Sequence, residues 1–298
     1  MSKKTLAPSN IVTTRHPKGL KFLSIVASAY NSAVLSGKEA QCVNETPGLS
    51  HLVENFIAES RGSNRFKDGK VSSSYGYLSG YKPTNIMPQT NRLRELLSGI
   101  GSPNRDLFMQ IEYGKLELPK GAEGWFAIPN WVKNPIFGRT YAEAVRKVLD
   151  MIKQSRSFYS YYREVSIDDN HLRQSSRSVE AWRKISEAQG NPDILLIAGQ
   201  FGKRHAGLSV HGSLAAMDTS EFGLGAFATG IMLLTHSNRL MYYDDLWISC
   251  AGDELAPDSN GVFSQAPYWF ASDGKVKFFA RYVESSDDRC GTASGFFL

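Results

Sequence analysis

The chain has 298 residues, 42% of them hydrophobic and 21% charged, with a net charge of +5. That suffices to bury one large core or two smaller ones, but the charge is too small for a histone-like polyanion binder. Three widely spaced cysteines, Cys42, Cys250 and Cys290, fit neither a disulfide framework nor a zinc ribbon, which favours a reducing, cytoplasmic setting.

Residues 1–16 read as a flexible tail without the apolar region of a secretory leader. Residues 17–298 read as one α+β domain, a single compact unit or two closely packed lobes with a boundary near 158–166. Phe22, Val26, Ala29 and Ala33 recur at helical spacing, so a helix is expected over Lys18–Ser36 with Gly37 as its stop. A second short helix is expected over Ser50–Arg61. Pro88 opens a third, running to Leu97. Leu107, Met109, Ile111 and Tyr113 alternate and predict a strand over Asp106–Tyr113, with another over Gly124–Ile128. Thr140-Tyr-Ala-Glu143 is a capping box for a helix over Tyr141–Arg156, and Ser166-Ile-Asp-Asp169 has a similar shape ahead of a basic helix to Gln189.

Asp193–Ala198 is a short apolar run that reads as a buried strand, and Phe222–Leu234 reads as a core helix too short for the roughly 20 residues that cross a bilayer. No membrane partner is therefore expected. Tyr242–Cys250 looks strand-like. Val262–Phe270 and Lys275–Val283 flank Asp273-Gly274 and predict a C-terminal antiparallel hairpin, with Pro267 placing its first strand at a sheet edge. Helices and strands mix without strict alternation, which gives the α+β class.

The chemistry concentrates after the Asp193 run. Gly199, Gly202, Lys203, Arg204, His205 and Gly207 form a basic glycine-rich loop ahead of a small-residue helix, the order in which backbone N–H groups cradle an anion. Two residues separate Gly199 from Gly202 and Arg204 stands where a hydroxyl is needed, so the loop is not a nucleotide-binding P-loop. Gly207-Leu-Ser209-Val-His211 approaches a nucleophile elbow, with Asp218 and His236 downstream, but His211 replaces the second glycine. Asp244, Asp245, Asp253 and Glu254 bracket a strand and are the candidate ligands for Mg2+. With His205 or His211 as base they define a metal-dependent phosphate hydrolase or nuclease. Pro257-Asp258 with Asp273-Gly274-Lys275 spells a nuclease pattern, although Asp273-Gly274 is better explained as the hairpin tip.

Cations and tyrosines interleave over Arg61–Lys82, including Lys67, Lys70, Tyr75 and Tyr77, and Arg173, Arg177, Arg183 and Lys184 lie on the basic helix. Cations meet phosphates and tyrosine faces stack on unpaired bases. The leading expectation is a protein that binds an anionic, phosphate-bearing ligand, nucleic acid first. Its contacts are then Gly202, Lys203, Arg204, His205, Lys67, Lys70, Tyr75 and Tyr77. The hydrolase is the second reading, and an interaction protein with a protein partner and no catalysis is the third.

Overall fold

The computed structural model describes residues 17–45, 49, 70–162, 167–257 and 262–297. The chain divides into two units, residues 1–63 and 64–298.

In the first unit, α1 spans Pro17–Ser32 and α2 spans Gly37–Asn44. Gly37 does not stop a helix; it opens one. Ser36 is the N-cap of α2, and a capping box with Glu39 fixes the start. Leu20, Leu23, Val26 and Tyr30 of α1 are exposed. The helix expected over Ser50–Arg61, the tail before residue 17, and Lys67 lie outside the described residues.

The second unit is α+β. Its helices are α3 (Ile86–Leu96), α4 (Arg105–Glu112), α5 (Tyr141–Ser155), α6 (Ser176–Ala188), α7 (Val210–Ala216) and α8 (Ala226–Thr235). The strands are β1 (Gly124–Pro129), β2 (Phe158–Ser160), β3 (Leu172–Gln174), β4 (Ile194–Gln200), β5 (Glu221–Gly223), β6 (Trp247–Ser249), β7 (Asp253–Leu255), β8 (Gln265–Ser272), β9 (Lys275–Tyr282), β10 (Cys290–Thr292) and β11 (Ser294–Phe296). One antiparallel sheet has the order β1-β4-β11-β5. The other is mixed: β8 pairs with β9 on one edge and with β6 and β7 on the other, while β10, β3 and β2 extend β6, β7 and β9.

Between the sheets runs α8, whose residues Ala226–Leu234 are all buried. Gly230 lets α8 approach α5, because a Cβ there would stand 2.4 Å from Val148. Trp269 of β8 donates its indole N–H to Thr229 of α8 at 2.9 Å. Glutamine side chains stand in for strands where the first sheet lacks a neighbour. Gln89 of α3 donates to Trp125 O at 2.8 Å and accepts from Ala127 N at 3.0 Å, and Gln189 does the same for Leu196. No helix among the described residues is long and apolar enough to cross a membrane.

The Thr140 capping box forms as expected. Four elements differ from the sequence reading. The core helix expected over Phe222–Leu234 starts only at Ala226, because Phe222 and Gly223 belong to β5. Residues 105–112 are helical rather than extended. Asn104 accepts from Leu107 N at 3.0 Å and so caps the helix, and the alternating residues are too few to outweigh that start. The basic helix begins at Ser176, capped by Ser175, and not near Ser166, which lies outside the described residues. Asp168 accepts from Asn170 N and His171 N, so this acid makes a turn instead of a first helical turn. Of Tyr242–Cys250 only Trp247–Ser249 is strand, because the Asp245 carboxylate ties back Met241 N and Tyr242 N.

The C-terminal hairpin forms over β8 and β9 with Asp273 (φ 54°) and Gly274 (φ 68°) both left-handed at its tip. Pro267 is nevertheless not at a sheet edge. Its carbonyl accepts from Cys250 N at 2.8 Å, so its missing donor faces the break between β6 and β7, and no β9 ladder bond is lost.

Candidate functional site

The Gly199–Gly207 loop does link a buried strand to a helix, but its donors are already used. From Phe201 to Leu208 every backbone N–H has an acceptor inside the protein, among them Glu123, Gln200, the Tyr77 hydroxyl and Cys290 O. The expected backbone anion cradle is therefore corrected: no backbone N–H from Phe201 to Leu208 remains to form it. The glycines answer to protein backbone instead. A Cβ on Gly207 (φ 78°) would stand 1.9 Å from Val71 O, and one on Gly202 (φ 118°) 2.7 Å from Gly291 O. Close packing against residues 71–73 and β10 is what selects glycine here.

Arg204 and His205 converge on one buried carboxylate, which sequence spacing gave no reason to notice. Glu221 is fully buried and meets Arg204 Nε at 3.1 Å and His205 Nε2 at 2.7 Å, and Ser294 Oγ donates to it as well. Burial acts to raise the Glu221 carboxyl, yet the bonds from His205 and Ser294 and the nearby positive charge hold it below its ordinary value. Both side chains are structural partners of Glu221. Lys203 remains exposed.

Tyr77 likewise turns inward. Its hydroxyl donates to Glu123 Oε1 at 2.6 Å, while the buried Arg239 guanidinium lies 4.2 Å from its ring centre. Burial raises the Glu123 carboxyl, opposed by that hydroxyl, by Phe201 N and by Arg239.

The proposed metal ligands diverge. Asp244 is exposed on a loop, and Asp245 is buried on the amides of Leu78, Met241 and Tyr242. Asp253 is buried and accepts from Tyr141 Oη at 2.7 Å and Ala226 N at 2.6 Å. Its neighbour on β7, Glu254, pairs with Arg173 at 2.7 Å. Among the described residues no three His, Cys, Asp or Glu side chains lie together as a metal site. Burial pushes the Asp253 carboxyl up to about 7.

The elbow residues are likewise engaged. Ser209 caps α7 by accepting from Gly212 N at 3.0 Å, Asp218 binds Ser220, and His236 accepts from Thr84 N at 3.1 Å. Burial lowers the pKa of His236 to about 4 and also lowers that of His211, which Glu284 opposes. Asp273 pairs with Lys277 at 2.6 Å at the exposed hairpin tip, and Asp258 lies outside the described residues.

A surface arrangement that the sequence reading missed lies on the mixed sheet. Cross-strand register puts Tyr268 opposite Phe279 and Phe270 opposite Lys277, while Trp269 and Phe278 face the core. On the Tyr268 side the aromatic rings run on without a gap. Tyr159 meets Tyr161 at 4.9 Å, Tyr161 meets Phe279 at 4.8 Å, Phe279 meets Tyr268 at 6.1 Å and Tyr268 meets Phe270 at 5.2 Å. Phe270 then meets Trp247 at 5.0 Å, and Trp247 meets Tyr243 at 6.1 Å. Tyr75, picked out from the sequence, joins through Arg289, whose guanidinium lies 5.8 Å from Tyr75, 5.0 Å from Tyr243 and 5.7 Å from Trp247. Lys277 and Arg281 lie 6.0 and 5.9 Å from Phe270 and Tyr268. Tyr159, Tyr161 and Tyr243 are close to half exposed, and Phe279 is 37% exposed. The loop bearing Lys203 packs along β10 at the border of this face, through Gly207 N to Cys290 O and Gly202 against Gly291.

The one sequence signal that touches it is ambiguous. Lys277-x-Phe279-x-Arg281 alternates with Val276, Phe278 and Ala280, but both sets contain large apolar residues, so period-two reasoning alone does not say which face is wet.

Comparison with protein-family models, curated proteins and solved structures finds no match.

Proposed function

We propose that this protein binds single-stranded nucleic acid on the aromatic face of its mixed sheet. The observation that carries the reading is the unbroken run of seven rings from Tyr159 to Tyr243 with Lys277, Arg281 and Arg289 over it. An exposed ring on a strand offers a flat apolar surface to any base, and each stacked base contributes about 1–3 kcal/mol. Exposed Lys203 lies on the loop that borders β10, and exposed Lys70 beside Val71, which bonds Gly207 of that loop; both supply charge for phosphates, together with Arg289. Lys277 and Arg281 are paired with Asp273 and Asp287, so stacking carries more of the affinity than charge does.

The test is fluorescence anisotropy of a labelled oligothymidylate or oligouridylate against a salt series. Tyr161→Ala with Phe279→Ala should weaken binding at least about tenfold, while retention on heparin, which has charge but no bases, stays as in the wild type. Lys203→Ala should flatten the salt dependence. Oligonucleotide affinity that ignores the paired aromatic variant, or that merely tracks heparin affinity, overturns the reading.

A further inference from the structure

A cleft of about 780 Å³ opens at the N-terminal end of α8, between the 129–133 loop, β3 and α6. Such a volume takes a drug-sized molecule. Its walls are Trp131, Trp182, Tyr141, Phe227, Leu172 and Leu195. Trp131 packs 5.6 Å from Tyr141, and Trp182 is braced edge-on by Phe222 at 5.5 Å, so both indoles are held in place while remaining part-exposed.

Charge narrows the occupant. The cations that line the cleft are each matched: Arg173 to Glu254 at 2.7 Å, Arg183 to Glu180 and Glu187 at 2.8 and 2.6 Å, and Lys133 to Asp193 at 2.8 Å. An anionic ligand would have to break such a pair and would also meet the carboxylate of Asp169, which lines the cleft with no ion pair among the described residues. Apolar walls with preset aromatic planes, no unmatched cation and an unmatched carboxylate select for rings without negative charge. We propose that this cleft is a binding site for a ring-bearing small molecule without negative charge, separate from the aromatic sheet face.

The probe is N-phenylnaphthylamine, which is uncharged, compared with anilinonaphthalene sulfonate, which has the same ring systems plus a sulfonate. Energy transfer from tryptophan to the bound probe is titrated on the full chain. The neutral probe should saturate at one site per chain and bind at least about tenfold more tightly than the sulfonate. Val179→Trp narrows the cleft from a position on α6 that is half exposed, so it leaves the fold intact. It should weaken the neutral probe by a similar factor, as should Trp131→Ala, with unchanged melting temperature in at least the first variant. A saturating oligonucleotide should not displace the probe. Tighter binding of the sulfonate, indifference to both cleft variants, displacement by the oligonucleotide, or absence of saturable binding each overturns the proposal. None of these bears on the oligonucleotide affinity, so the two readings fail independently.

Discussion

Asp253 is the residue whose burial has the most measurable consequence. Desolvation of its carboxyl raises it from the usual 3.8 to about 7, and the bonds from Ala226 N and Tyr141 only partly offset this. Between those two values the folded chain holds a proton that the unfolded chain has lost. Stability from this group is therefore complete below about pH 4 and falls as pH rises, by about 1.4 kcal/mol per unit, until it levels off above about pH 7. The whole window corresponds to about 4 kcal/mol. Asp253→Asn removes the titration and keeps the shape, at the cost of one imperfect bond to Tyr141, about 1 kcal/mol. Urea unfolding of both proteins at several pH values from 4.5 to 8 (roughly the window set by the two ionisations) gives the difference curve. Other groups titrate alike in both and cancel. The wild type should lose ground steadily against the variant as pH rises to about 7. A flat difference, or a wild type that gains, would refute the claim that this carboxyl is buried against its charge.

Other substitutions follow from the same geometry. Gly207→Ala combines a left-handed backbone with a clash on Val71 O and should destabilise by about 2–4 kcal/mol in chemical unfolding, releasing the 71–73 segment to proteolysis. Glu221→Gln leaves buried His205 and part-exposed Arg204 facing a neutral amide, and a loss of roughly 2–3 kcal/mol is expected; a change below about 0.5 would mean these contacts are incidental. At the hairpin, Gly274→Val meets no neighbour within 4 Å, so its cost is backbone strain alone, roughly 1–2 kcal/mol, whereas Lys275→Ala should be silent in both stability and any magnesium-dependent plasmid cleavage. Cleavage lost in Lys275→Ala would restore the nuclease reading.

Elements specified by a few adjacent residues were legible in the sequence: the Thr140-capped α5, the Asp273-Gly274 hairpin, the apolar β4 and the buried α8. The first two have a start or turn signal that needs no distant partner, and the last two are read from the length of an apolar run, the start of α8 being capped from afar by Asp253. Residues 105–112 were misread because a short alternating run also fits one helical face, and only the Asn104 cap separates the two. The glycine-rich loop shows a deeper ambiguity. A backbone that must admit a close neighbour selects glycine whether that neighbour is a phosphate or Val71 O, and the local sequence is the same in both cases. The aromatic face was out of reach for another reason. Tyr75, Tyr161, Trp247, Tyr268, Phe279 and Arg289 come from six separate segments, and only the tertiary fold puts them side by side.

The passage from β10 to β11 affects how the chain can be made. β11 lies between β4 and β5, pairing Phe296 with Ala198 and with Glu221. During synthesis β4 and β5 leave the ribosome long before residues 294–296, so the first sheet waits with an open slot beside an apolar strand, Ile194–Ala198. That interval is when intermolecular pairing competes with folding. Slower growth at lower temperature, or a holdase in attendance, should therefore raise the soluble yield more than any single stabilising substitution in the finished core.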